Sequence, residues 1–200
     1  MGFVAGVARF GDDALRVELS GVTPASARAA LLALPGAVEV VATETHAIVY
    51  FAGPAPAPEA LASVAPTPPA EAAAAAATVA IEVAYDGPDL AEVAARTGLT
   101  VDAIAARHAA ASYVVSFVGF RPGFAYLRGS PPELHLPRRA TPRARVPALS
   151  LGVASAFTGI YPTACPGGWW LLGRAVGFAP FEGEAAALTP GARVTLVRVG

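Results

Sequence analysis

Between Gly53 and Ala77 the chain carries Pro54, Pro56, Pro58, Pro66, Pro68 and Pro69 among alanines, with few large side chains to bury. Proline has no amide hydrogen to give a helix interior or a central strand, so a regular element does not run through this stretch. The chain is therefore expected to fold as two pieces, each with its own core. The boundaries read from the pattern are a small domain over 1–66, a Pro/Ala-rich linker over 67–77, and a larger domain over 78–200.

The first piece alternates short apolar runs with turns. Phe3 to Phe10 and Ala14 to Leu19 flank Gly11-Asp12-Asp13, and Leu15, Val17 and Leu19 alternate with Arg16 and Glu18, the pattern of a hairpin with one buried face. Thr23 before Pro24 reads as an N-cap and a first-turn proline. The helix that follows, Ala25 to Leu34, ends at Pro35-Gly36. Ala37 to Ala42 and His46 to Phe51 read as two more strands, and Glu59 to Val64 as a short closing helix. Two strands, a helix and two strands make a small two-layer α+β domain.

The second piece begins with a strand, Thr78 to Tyr85. Two helices follow, Asp89 to Thr97 and Thr100 to Ala110, with Gly98 as the stop between them and Asp89 and Thr100 as N-caps. Beyond Ser112 come short apolar runs cut by Gly and Pro: Tyr113 to Val118, Val146 to Ala154, Trp169 to Gly173 and Arg193 to Val199. That spacing predicts a β-barrel or sandwich.

Composition narrows the chemistry. All 14 basic residues are Arg and none is Lys, which closes the phosphate-loop lysine, the Schiff-base lysine and the lysine general base. The net charge of -1 gives no global field for nucleic acid or an anionic membrane surface. Of the 54% hydrophobic residues 48 are Ala, and the longest weakly polar run is too short to span a bilayer. A single cysteine, Cys165, and no recognisable leader suggest a cytoplasmic protein. His46, His108 and His135 are scattered, and no metal site is expected.

Two segments stand out. Gly119 to Leu127 (G-F-R-P-G-F-A-Y-L) is rich in glycine and aromatics, suited either to walling a ligand or to a turn with a satellite aromatic cluster. From Arg121 to Arg145 there are six Arg against Glu133 alone. Those guanidinium groups suit a carboxylate or phosphate, and equally a solvated loop or an acidic partner. No G-x-S-x-G motif surrounds any serine, so a hydrolytic triad is not indicated.

These segments, with Tyr85-Asp86-Gly87-Pro88-Asp89-Leu90, P-R-R-A-T-P-R from Pro137 to Arg143, T-G-I-Y-P from Thr158 to Pro162, P-G-G-W from Pro166 to Trp169 and Leu172-Gly173-Arg174, resemble the family of 5-oxoprolinase B subunits. That family is also labelled allophanate hydrolase subunit 1 and includes the sporulation-kinase inhibitor KipI. The resemblance implies a DCoH-like α+β first domain and a cyclophilin-like barrel. It implies a non-autonomous component that works with two others, the A and C subunits of the enzyme, to cleave 5-oxoproline to glutamate using ATP. The alternatives are a KipI-like inhibitor of a histidine kinase and a component related to allophanate or urea-amide hydrolases. No catalytic residue is assigned. The residues it implies for binding substrate or an anion are His108, Phe120, Arg121, Gly123, Phe124, Tyr126, Arg138, Arg143, Ser150, Thr158, Tyr161, Gly167, Gly168 and Trp169. The sequence departs from the family pattern where Leu149 and Ser155 replace glycines. A side chain there would cost about 1 kcal/mol or more if either position takes a positive φ.

Overall fold

The computed structural model describes residues 3–61, 64–65 and 78–200. The linker expected over 67–77 lies outside them. The chain divides into two compact units, Met1–Ala76 and Ala77–Gly200.

In the first unit β1 (Val4–Arg9), β2 (Ala14–Leu19), β3 (Ala37–Ala42) and β4 (His46–Phe51) form an antiparallel sheet in the order β1-β2-β4-β3. Alternation in β2 buries Leu15, Val17 and Leu19 on one face, where they meet Ala27, Leu31, Val40 and Val49. The helix α1 (Pro24–Leu32) covers that face, and Thr23 caps it by accepting the Ser26 amide at 3.2 Å. The closing helix expected over Glu59 to Val64 is instead a 3₁₀ turn, Pro58–Leu61. Its Leu61 is buried in the core of this unit, and residues 62–63 of the expected helix lie outside those described.

The second unit is mainly β. Its elements are β5 (Thr78–Ala84), α2 (Leu90–Thr97), α3 (Val101–Ala110), β6 (Ser112–Val118), β7 (Ala125–Arg128), β8 (Arg143–Val146), β9 (Ser150–Ala154), β10 (Phe157–Ile160), β11 (Cys165–Gly167), β12 (Trp170–Val176), β13 (Phe181–Glu182), β14 (Ala185–Ala186) and β15 (Arg193–Arg198). Seven strands close a barrel in the order β10-β7-β6-β15-β5-β12-β9, with β9 and β10 antiparallel at the seam. Closure removes the unpaired edges an open sheet would expose. Within the barrel β5 and β15 run parallel, with Thr78 opposite Arg193. Ile81, Val83, Tyr113, Val115, Leu127, Leu151, Ile160, Val194 and Leu196 form one core cluster.

Two further apolar clusters surround this one, and β12 feeds both. Trp170 and Leu172 pack with Leu90, Val93, Ile104 and Leu134, while Trp169 and Leu171 join Phe124, Val146, Tyr161 and Cys165. The period-two alternation of a strand thus divides four consecutive residues between two clusters. The run expected as one strand from Val146 to Ala154 is broken between β8 and β9, where Leu149 takes φ 62°. No straight strand passes through that conformation.

Candidate functional site

The site begins with the arginine segment that leads into β8. Arg139 donates to Asp89 Oδ1 at 3.0 Å and Arg143 to the same oxygen at 2.5 Å. Asp89 Oδ2 accepts the Leu171 amide at 2.7 Å. Asp89 occupies the N-cap position of α2 but makes no side-chain cap bond, which corrects the expectation of a simple cap. It is instead a buried counter-ion for two guanidinium groups. Arg143, expected to hold a ligand anion, is thereby ion-paired within the chain. The planes of Arg139 and Arg96 lie over the Trp170 ring, 5.0 and 4.8 Å from its centroid.

Arg138 differs from its neighbour. It is exposed and makes no ion pair or side-chain hydrogen bond among the described residues. It stands at the mouth of a cavity of about 230 Å³ lined by Phe120, Phe124, Tyr126, Pro142, Tyr161, Pro166, Gly167, Gly168 and Trp169. Phe124 is the hub of this cavity, with ring centroids 5.1 Å from Tyr126, 5.3 Å from Tyr161 and 5.3 Å from Trp169, all edge-on. Phe120 forms the lip: it is 58% exposed and holds φ 69°, a conformation that costs a non-glycine residue about 1–2 kcal/mol. Gly167 is required by packing, since a Cβ there would lie 2.5 Å from the Tyr161 Oη. Burial pushes the Tyr161 phenol up to about 12 and raises Tyr126, while the Arg138 charge lowers both. Both phenols are therefore neutral donors at physiological pH.

A second cavity of about 260 Å³ lies against the first, lined by Phe117, Tyr126, Arg138, Ala154, Ser155, Phe157 and Trp169. The two share Tyr126, Arg138 and Trp169. Phe117 stacks on Tyr126 at 4.3 Å, and Phe157 meets Tyr126 edge-on at 5.7 Å. Ser155 on this wall has φ 50°, and Leu149 has φ 62°. Both substituted positions thus take the backbone conformation that favours glycine.

The remaining expected site residues lie apart from these cavities. His108 is fully buried: Nδ1 is 2.8 Å from the Tyr85 hydroxyl and Nε2 2.8 Å from Thr158 Oγ1. The Tyr113 hydroxyl donates to the His108 carbonyl at 2.8 Å. Desolvation pushes the imidazole down to about 3. His108 and Thr158 are thus buried and bonded to each other within the barrel, and line neither cavity. Ser150 is buried on β9 and lines neither cavity. Arg121 is exposed and reaches Thr163 at 3.5 Å. Gly123 has φ 80° and sits under the Phe181 ring, 2.7 Å from where a Cβ would stand. Sequence reasoning missed the ion-pair role of Asp89. The signal for it was the charge surplus from Arg121 to Arg145, which called for a carboxylate from elsewhere in the chain.

A family model described as carboxyltransferase domain, subdomain C and D, matches residues 2–188. Among curated proteins, the 5-oxoprolinase B subunit of Escherichia coli O157:H7 is 47% identical over 124 residues, covering 60% of this chain and 57% of that protein. The 5-oxoprolinase B subunit of Bacillus subtilis (strain 168) is 40% identical over 126 residues, covering 60% and 52%. The matched region thus spans about half the length of these relatives. A crystal structure of TTHA0988 is 33% identical with a TM-score of 0.74, covering 94% of this chain and 40% of that one. A conserved uncharacterized protein, PH0987 from Pyrococcus horikoshii, is 30% identical with a TM-score of 0.57, covering 96% and 97%. Kluyveromyces lactis urea carboxylase shares the fold at 15% identity and a TM-score of 0.68, covering 97% of this chain and 22% of that one.

Proposed function

We propose that this chain, which belongs to the carboxyltransferase domain, subdomain C and D family, serves as the B subunit of an ATP-dependent 5-oxoprolinase, by its likeness to curated 5-oxoprolinase B subunits. In this reading it joins the A and C subunits in the cytoplasm and contributes part of the site that opens a cyclic amide to glutamate. The observation that carries the reading is an unpaired guanidinium, Arg138, at the mouth of a cavity walled by Phe124, Tyr126, Tyr161 and Trp169. A small lactam bearing a carboxylate has two parts that match: a flat ring for the aromatic walls and an anion for Arg138. The neutral Tyr126 and Tyr161 phenols supply donors for a lactam carbonyl.

ATP does not match this cavity. A cavity of about 230 Å³ falls below the range of roughly 300–1,000 Å³ typical of drug-sized ligands. Arg139 and Arg143 beside it are already engaged in ion pairs, both with Asp89 and Arg139 also with Glu92. In this reading ATP is used by the assembled complex, and this cavity serves the lactam. The same reading makes the first unit DCoH-like and the barrel cyclophilin-like; the strand-strand-helix-strand-strand order and the closed seven-stranded barrel support it.

The test is co-expression with candidate A and C subunits of the enzyme and measurement of ATP-dependent glutamate release from 5-oxoproline, omitting each chain in turn. Release that requires this chain is the expected result. A stable complex without turnover would point to another substrate, and no complex would shift the reading toward a KipI-like regulator.

A further inference from the structure

The cavity is assembled from segments far apart in sequence, and Asp89 joins them. Its side chain is 4% exposed, and each oxygen holds a different wall. Oδ1 takes Arg139 and Arg143, which adjoin the cavity residues Arg138 and Pro142 in the chain; Oδ2 takes the amide of Leu171, two residues beyond Trp169. The backbone of the arginine segment is docked on the residues that lead into β12, with the Arg139 amide on the Gly168 carbonyl at 2.8 Å and Trp170 Nε1 on the Pro137 carbonyl at 2.7 Å. Arg138 is therefore fixed from both sides while its own side chain stays free.

Electrostatics makes Asp89 the critical tie. Two guanidinium groups meet at a single carboxylate oxygen, so that charge holds together two like charges that otherwise repel at short range. The first turn of α2, where Asp89 sits, adds the positive end of a helix dipole, which favours a carboxylate there.

We propose that Asp89 is a positioning residue: by holding Arg139 and Arg143 against the Gly168–Leu171 segment, it sets where Arg138 stands and so the affinity of the cavity for an anionic substrate. The proposal rests on the reading that Arg138 receives the carboxylate of 5-oxoproline. Asp89 itself touches no substrate. Asp89→Asn leaves Arg138 chemically intact but presents two guanidinium groups to a neutral amide; Arg139 keeps only the longer pair with Glu92 at 3.5 Å, and the residue next to Arg138 in the chain loses its buried tie.

The experiment is a double-mutant cycle in the reconstituted complex, with 5-oxoproline as the varied substrate, using wild type, Asp89→Asn, Arg138→Ala and the double variant. Asp89→Asn is expected to raise KM about tenfold with kcat within about threefold of wild type, and to add nothing to KM once Arg138 is already Ala. Its loss of thermal stability persists in both backgrounds, which separates positioning from folding. Multiplying KM effects would show that Asp89 acts independently and overturn the proposal, as would an unchanged KM in Asp89→Asn alone. An Arg138→Ala complex with normal KM, or a wild-type complex that does not turn over 5-oxoproline, overturns the reading of the cavity and this proposal with it. Should Asp89→Asn fail to fold, Arg143→Gln leaves Asp89 paired with Arg139. Its smaller rise in KM must vanish in the Arg138→Ala background by the same logic, and a rise that remains there overturns the proposal.

Discussion

Two polar centres in the barrel unit are built in opposite ways. At His108 the bonds close on themselves: one ring nitrogen faces Tyr85 and the other faces Thr158, while Tyr113 returns to the His108 carbonyl. At Arg138 the cation is left without a partner among the described residues, although the adjoining Arg139 and Arg143 converge on one carboxylate. A polar group whose bonding capacity is met inside the fold stabilises that fold. One that is positioned and left unmet is available to a ligand. By this difference we propose a folding role for His108 and a binding role for Arg138, although the sequence offers both as candidates of equal standing.

The largest expected effect tests the folding side. His108→Ala leaves the Tyr85 and Thr158 hydroxyls buried without their partner and opens a cavity, so stability should fall by about 3 kcal/mol or more. Turnover per folded complex should stay near wild type, and lost activity in fully folded protein would contradict the division drawn here. The same residue predicts a pH dependence. Its folded pKa, about 3, lies below the unfolded value of 6.5, so the unfolded chain binds the extra proton. The contribution of His108 is thus fully present above pH 6.5 and is lost as pH falls toward 3, at up to about 1.4 kcal/mol per pH unit. Denaturant midpoints followed over that window should fall less steeply for His108→Gln than for wild type.

Next comes the binding side. Arg138→Ala should leave stability within about 0.5 kcal/mol, because the side chain is exposed and unpaired. It should raise KM for 5-oxoproline by roughly 10- to 100-fold, the range for losing a hydrogen bond to a charged group. A variant that melts early with unchanged KM would exchange the roles of the two centres.

What the sequence makes legible follows the range of the interactions involved. Strands β2, β3 and β4 lie where alternation and turns put them, since pattern and pairing there act within a few residues. The strands β7 and β10 escape the pattern: each has four residues, and glycine and aromatic neighbours mask the alternation. The cavity walls Phe124, Tyr126 and Trp169 are reached through a resemblance, whereas Asp89 reads locally as a cap. Its partners stand 50 and 54 residues away, and no local pattern encodes an ion pair across that distance.

The smallest effect concerns the two non-glycine residues in the left-handed region. Ser155 is exposed, so Ser155→Gly removes a strain of about 1–2 kcal/mol and adds roughly 0.5–1 kcal/mol of unfolded-chain freedom. The net result should be a gain of about half a kcal/mol to 1 kcal/mol, read from the denaturant midpoint at constant m-value. Leu149 relieves the same strain on becoming glycine but packs partly buried against the barrel core, and losing that side chain costs about 1 kcal/mol or more. Leu149→Gly should therefore be neutral or destabilising, even though the backbone conformation is the same. The pair also bears on the cavities, because Ser155 lines the second and not the first. A Ser155→Gly complex with unchanged KM places the substrate in the chamber under Phe120, while a shifted KM would mean that it crosses the Tyr126 and Trp169 partition into the chamber beside Phe157.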